Sequence, residues 1–207
     1  PYLGEAWSED HFKETLEKRK EEIEVFDSSL QDVVGKLKDG NIVSVFNGAS
    51  ESGRRALGNR SILVDPRSST MKDTINEKVK HRQWYRPFAP SILEEDAPDW
   101  FEDYQESPYM QFVLKFKEDK LDLVPAVVHL DGTARLQTVR ETDNKWYYNF
   151  LKAWKKETGI PIILNTSFND REPICENVEH ALNCFLGTNI DYLYFPEYSK
   201  LVKRKES

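Results

Sequence analysis

The sequence predicts an α/β (α+β) domain: a mixed β-sheet flanked by helices, with a helical segment at the N-terminus. Three observations predict it. Apolar residues recur at helical spacing in some windows and as short continuous runs in others, and the two kinds alternate along the chain. The runs are strand-sized, as at residues 160–164, and none approaches the roughly twenty apolar residues of a membrane span. The 207 residues are 39% hydrophobic and 12% aromatic, enough for one ordinary core.

Taken in order, residues 8–39 read as helical. Ser8 caps a first helix running through Phe12, Leu16 and Ile23, with Glu and Lys on the opposite face. Asp27 or Ser28 caps a second, carrying Leu30, Val33, Val34 and Leu37 and ending at Gly40. Residues 42–46 form a short buried strand that leads into Asn47-Gly48. Residues 70–80 are helical, with Met71, Ile75 and Val79 four apart, and residues 88–93 read as strand. Pro98, Trp100 and Phe101 mark an aromatic loop or short helix. Residues 110–116, 124–130 and 134–139 read as strands, the last two joined as a hairpin across the Asp131-Gly132 turn. An amphipathic helix follows at 144–158, closed by Gly159. Residues 160–164 form a buried strand feeding the polar stretch 165–169; a last helix spans 178–186 and a last strand 192–195. The basic tail at 203–205 is expected to fray.

Charge is unevenly placed. The chain carries −7 overall, yet residues 51–90 hold nine Lys/Arg against four acids, which leaves −12 on the remainder. Cations crowded together repel, so a compensating anion is expected. A small basic island in an acidic chain argues against nucleic acid, which needs a broad basic surface, and for a small polyanion. No secretory leader is visible among the charged residues 8–24, and the expected compartment is a reducing cytoplasm. The two cysteines, Cys175 and Cys184, match no zinc spacing and read as core residues. The start at Pro1 rather than Met fits a piece cut from something longer.

Three polar clusters fall at strand ends, where ligands gather in such folds. The first holds Arg54, Arg55, Asn59, Arg60 and Arg67, with Gly53 and Gly58 allowing close backbone approach to an anion. Arg55 and Arg60 each offer a forked pair of donors to phosphate or carboxylate oxygens. The second pairs Lys80 with Arg86, set before the rigid Pro87-Phe88-Ala89-Pro90-Ser91; Trp84 and Tyr85 provide either a stacking face for a base or core packing. The third joins Asp131-Gly132-Thr133-Ala134-Arg135 to Asn165-Thr166-Ser167-Phe168-Asn169, whose uncharged donors and acceptors suit phosphate, ribose or a carbonyl. His129 reads as a strand histidine. No metal constellation and no Ser-His-Asp or Cys-His set stands out, so any catalysis would act through positioning and charge neutralisation, as in phosphoryl and adenylyl transfer.

The same residues carry a family likeness. Arg55-Ala56-Leu57-Gly58-Asn59-Arg60-Ser61-Ile62-Leu63, Arg86-Pro87-Phe88-Ala89-Pro90-Ser91, Asp131-Gly132-Thr133-Ala134-Arg135 and Leu164-Asn165-Thr166-Ser167-Phe168-Asn169 resemble, in order and spacing, the C-terminal region of the NodU/CmcH-type carbamoyltransferases. The resemblance covers essentially the whole chain. It implies a YrdC-like domain over residues 36–207, with residues 1–35 a helical segment leading from an N-terminal half that is not part of this chain. That half would resemble the actin-like ATPase and sugar-kinase fold and hold the family's metal site. The YrdC-like half would use carbamoyl phosphate and ATP, with Mg2+ accompanying the ATP, to make carbamoyl adenylate for transfer to a hydroxyl of a sugar or natural product. By motif, Lys80, Arg86 and Arg135 take the catalytic positions. Arg55, Arg60, Asn165, Ser167, Asn169 and Arg171 take the substrate and nucleotide, and no metal ligand falls in this part. Two departures stand out: Arg54 occupies a position where the family usually has proline, and Arg171 one where glycine is common. Two other readings follow from the same residues: a domain that binds nucleotide or carbamoyl phosphate without turnover, and a YrdC-like RNA-associated domain, which the −12 outside the basic island disfavours.

Overall fold

Continuously buried strands build the centre of the molecule. In β2 (Val43–Phe46) and β3 (Arg60–Val64) every residue is buried, because both faces of these strands are covered. One face meets α2 (Leu30–Lys38) and α5 (Lys145–Thr158): Val33, Leu37, Tyr147, Phe150 and Trp154 pack on Val43, Val45, Leu63 and Ile163. The opposite face, through Phe46, Ile62, Val64 and Leu164, meets Phe12 of α1 (Glu9–Lys18), Ile75 of α3 (Met71–Ile75) and Leu182 and Phe185 of α6 (Val178–Gly187). The period-two alternation of side chains thus divides one sheet between two apolar layers. The computed structural model describes residues 2–5, 7–80, 87–170 and 173–205.

The large sheet has eight strands in the order β1-β10-β9-β2-β3-β8-β4-β7. Its remaining members are β1 (Ile23–Asp27), β4 (Ala89–Leu93), β7 (Gln137–Val139), β8 (Ile162–Ser167), β9 (Tyr192–Phe195) and β10 (Lys200–Arg204). The pairs β2/β9 and β4/β7 are parallel and the others antiparallel, so the sheet is mixed, as expected. A separate two-stranded ribbon joins β5 (Val113–Lys115) to β6 (Thr133–Arg135), and α4 (Ala97–Trp100) is a single turn.

Several expectations are corrected. The first helix stops at Lys18, and Ile23–Asp27 forms an edge strand that pairs with β10 rather than continuing the helix. The second helix is capped by Ser29, which forms a reciprocal capping box with Asp32, rather than by Asp27 or Ser28. The tail is not frayed: Lys203 and Arg204 pair with Glu24 and Ile23 as part of β10, and the Lys205 amide donates to the Glu22 carbonyl (3.0 Å). Residues 124–130 hold a 3-10 turn at Pro125–Val127 instead of a strand, since the chain crosses beneath α3 and donates the Ala126 amide to the Pro66 carbonyl (3.1 Å). The hairpin partner of β6 is therefore β5, and residues 134–139 divide into β6 and β7, which serve different sheets. α3 passes into a π-helical turn at Asn76–Lys80, which buries Lys80.

Gly58 shows how tightly the polar segment sits on the core. Its φ is +115°, and an added Cβ would lie 2.6 Å from Cδ1 of the fully buried Tyr147. Gly58→Ala is expected to lower the unfolding free energy by about 3 kcal/mol, from backbone strain and overpacking together. Denaturant titration reads this directly, and an unchanged midpoint would contradict the packing described.

Candidate functional site

The segment between β2 and β3 is organised by an acid. Glu51 is buried, and its Oε1 accepts the backbone N–H groups of Leu57 (2.7 Å), Asn59 (2.9 Å) and Arg60 (3.2 Å). One carboxylate thus folds the glycine-containing loop into a fixed turn with charge-assisted hydrogen bonds. In sequence Glu51 is one of the four acids among the cations of residues 51–90. Its signal was an acid four residues before Arg55 in a loop otherwise rich in cations.

Arg60 does not reach a ligand site. It is fully buried, its guanidinium 3.5 Å from the centroid of the Phe46 ring. Nε donates to the Cys175 carbonyl (2.9 Å), Nη1 to those of Asn47 (2.8 Å) and Asn59 (3.1 Å), and Nη2 to those of Gly48 (2.9 Å) and Glu176 (3.5 Å). All five N–H donors are engaged, so none is left for phosphate. Burial pulls this guanidinium down to about 10, with Glu51 opposing the shift. The expected phosphate ligand is instead a clamp joining the 47–48 turn to residues 175–176.

The residues that do converge line a cleft of about 310 Å³ at the end of β8: Arg54, Arg55, His129, Arg135, Asn165 and Ser167. β8 lies between β3 and β4 there, with Asn165 opposite Leu63 on one side and Ala89 on the other. Among the described residues, Arg54, Arg55 and Arg135 make no ion pair and no side-chain hydrogen bond. The Arg55 guanidinium is held below its ordinary value first by partial burial, then by the like charges of Arg135 and Arg54. Three mutually repelling cations lining one cavity have the charge to hold an anion. Arg54, unexpected on family pattern, thus joins Arg55 at the cleft.

Asn165 anchors this cleft to the sheet. It is 1% exposed, and its Nδ2 lies within hydrogen-bond distance of the Ala56 carbonyl (3.0 Å), Ser91 Oγ (3.1 Å) and Gln137 Oε1 (3.0 Å). Ser91 Oγ donates to Gln137 Oε1 (2.6 Å), and Gln137 Nε2 donates to the Leu57 carbonyl (3.1 Å). The carbonyls of Ala56 and Leu57, next to Arg55, are thereby fixed to three strands. Ser91 enters the sequence reading only as the end of the Arg86–Ser91 motif and Gln137 not at all, because only the β4/β7 pairing makes them neighbours.

Lys80 and Asn169 stand behind the cleft. Lys80 Nζ donates to the carbonyls of Ser167 (2.6 Å) and Asn169 (2.7 Å) and to Asn169 Oδ1 (2.8 Å), while Ser167 Oγ donates to Asn169 Oδ1 (2.7 Å). The lysine therefore sets the turn that presents Ser167. Asn169 borders a neighbouring cavity of about 420 Å³, together with the free thiols Cys175 and Cys184. Arg86 and Arg171 lie outside the described residues. Among the described residues, no group of three or more His, Cys, Asp or Glu is placed to hold a metal ion. No described helix is long and apolar enough to cross a membrane.

Comparison with known proteins gives this site its family. A solved full-length HypF, in a phosphate- and nucleotide-bound form, superposes with a TM-score of 0.55 at 18% identity, covering 84% of this chain and 24% of that one. P. abyssi Sua5, complexed with L-threonine, superposes with a TM-score of 0.58 at 14% identity, covering 80% of this chain and 46% of that one. These likenesses show a YrdC-like fold. Nodulation protein NolNO of Sinorhizobium fredii is 49% identical over 188 residues, covering 89% of this chain, and the chain spans 27% of that relative's length. A family model described as Carbamoyltransferase C-terminus matches residues 34–202. On both grounds, the chain belongs to the carbamoyltransferase C-terminus family.

Proposed function

We propose that this domain forms carbamoyl adenylate from carbamoyl phosphate and ATP, for transfer by a preceding actin-like, sugar-kinase-like half to a hydroxyl of a sugar or natural product. The observation that carries the reading is the cleft in which Arg54, Arg55 and Arg135 converge without an acid partner among the described residues. HypF, captured with phosphate and nucleotide, supports it as a relative in fold.

The chemistry runs in two balanced steps. Water cleaves carbamoyl phosphate to carbamate and phosphate. A carbamate oxygen then attacks the α-phosphorus of ATP, forming the new O–P bond and expelling pyrophosphate. Both steps concentrate negative charge, which Arg55 and Arg135 neutralise with forked donors and Arg54 reinforces from the rim. Ser167, in the turn set by Lys80, adds a neutral donor or acceptor, and Asn165 holds the Arg55 segment in place. Arg86 and Arg171, outside the described residues, are assigned to phosphate on motif alone. Mg2+ would enter with the nucleotide, screening its phosphates.

The full-length protein containing this chain is expected to release pyrophosphate from ATP only when carbamoyl phosphate is supplied. Isotopic or coupled-enzyme detection of pyrophosphate measures it. Binding of both substrates with no release would favour a domain that binds without turnover.

A further inference from the structure

The cleft presents cationic donors, yet two of its lining side chains carry acceptors with nothing to accept. Asn165 Oδ1 and His129 Nε2 are both buried and without a hydrogen-bond partner. Their identities as acceptors are fixed by their other ends. Asn165 turns its Nδ2 to the Ala56 carbonyl, which can only accept, so the amide cannot be reversed. Thr133 Oγ1 donates to Asp131 Oδ1 (2.7 Å) and is therefore free to accept from His129 Nδ1 (3.0 Å). That places the ring proton on Nδ1 and a lone pair on Nε2. Burial, reinforced by Arg135 and Lys72 and opposed by Asp131, holds the imidazole below its ordinary value and hence neutral.

A buried acceptor left unmatched costs about 1–3 kcal/mol, so two carried by side chains that line one cleft point to a ligand that supplies donors. The three arginines require the same ligand to carry anionic oxygens, which both acceptors would repel. The ligand therefore has two chemically distinct ends: a phosphate, and a planar group bearing N–H. Carbamoyl phosphate has both, and its –NH2 offers two N–H donors.

We propose that Asn165 Oδ1 and His129 Nε2 accept the two N–H groups of the carbamoyl amide and so select carbamoyl phosphate over acyl phosphates that lack them. The inference rests on the function proposed above and adds its specificity determinants. Asn165 then has two roles: Nδ2 holds the Arg55 segment, and Oδ1 reads the substrate. His129 becomes a specificity residue whose orientation is set by Thr133 and Asp131.

Acetyl phosphate, with a methyl group in place of –NH2, is the probe. In the full-length protein, the ratio of kcat/KM for pyrophosphate release with carbamoyl against acetyl phosphate is expected to be about a hundredfold or more. His129→Leu should lower that ratio at least about tenfold, and His129→Gln, which retains an acceptor oxygen, should keep most of it. A wild-type ratio near one overturns the inference without any variant. So does an equal loss on both phosphates in His129→Leu. An unchanged acyl-phosphate ratio with lost preference for ATP over inosine triphosphate also overturns it, by assigning the acceptors to the adenine amino group. Absence of carbamoyl-phosphate-dependent release in the wild type overturns the proposed function and this inference together, a result separable from the others.

Discussion

Arg60→Met is expected to lower the unfolding free energy by about 4 kcal/mol, one of the larger effects available to a single substitution in this domain. Methionine matches the length of the aliphatic stem and still packs on Phe46, so little of the loss is apolar contact. The cost arises at the carbonyls of Asn47, Gly48, Asn59, Cys175 and Glu176, which lose their donor. At about 1–3 kcal/mol for each acceptor stranded without water, the full sum exceeds the expected figure, because loosened loops readmit solvent. Arg60→Lys should recover only part of the loss, since one ammonium cannot span five carbonyls on three segments. Thermal or denaturant unfolding measures both. An Arg60→Met protein that unfolds like wild type would show that the guanidinium is not the clamp described. Any fall in activity in these variants should track stability, because Arg60 lies outside the cleft.

Arg135→Ala gives the opposite pattern. Pyrophosphate release in the full-length protein is expected to fall by about 10²–10³, the usual effect of removing one preorganised donor from developing charge. Stability should be unchanged or slightly raised. Arg135 makes no ion pair or side-chain hydrogen bond among the described residues, and its removal relieves repulsion on Arg55. Arg135→Lys keeps a point charge without the fork and should recover part of the rate. Steady-state kinetics with circular dichroism on the same preparations separates the two effects. A wild-type rate in Arg135→Ala would remove this residue from the site. Loss of folding would show that it holds the structure rather than the substrate.

The contrast between these arginines shows how far residue type carries a functional reading. Arg55 and Arg60 look alike in sequence: both lie within three residues of Gly58. Which of them meets a ligand depends on the strand. Arg60 begins β3, whose five residues are all buried, so its side chain turns into the protein. Arg55 precedes that strand and stays on the exposed arc of the loop closed by Glu51. Lys80 shows the same limit: its place in a π-helical turn aims it at the Ser167–Asn169 backbone, an orientation that ordinary helical spacing does not predict.

Secondary structure was legible where the local signal was complete. Asn144 and Gly159 bound α5 by their own chemistry, with an Asn144 side-chain cap on Tyr147 and Gly159 at φ 75°. Ser8 likewise begins α1. The misread segments lacked such signals. Ile23–Asp27 follows a helix dense in Glu and Lys and becomes a strand only because β10 is there to pair with it. Residues 124–130 carry strand-like valines that fill the core from a 3-10 turn instead.

The sequence by itself determined an α/β chain, a basic island within an acidic protein, four ordered motifs and, through them, a family. Those are properties of composition, period and order, which survive without coordinates. Only the tertiary structure decided which polar groups are spent and which are open. The donors of Arg60 are consumed by carbonyls up to 116 residues away, whereas Asn165 Oδ1 and His129 Nε2 are left unmatched beside three arginines. Hydrogen-bond satisfaction is a property of neighbours in space, and the strand order β3-β8-β4-β7 sets those neighbours between residues far apart in the chain.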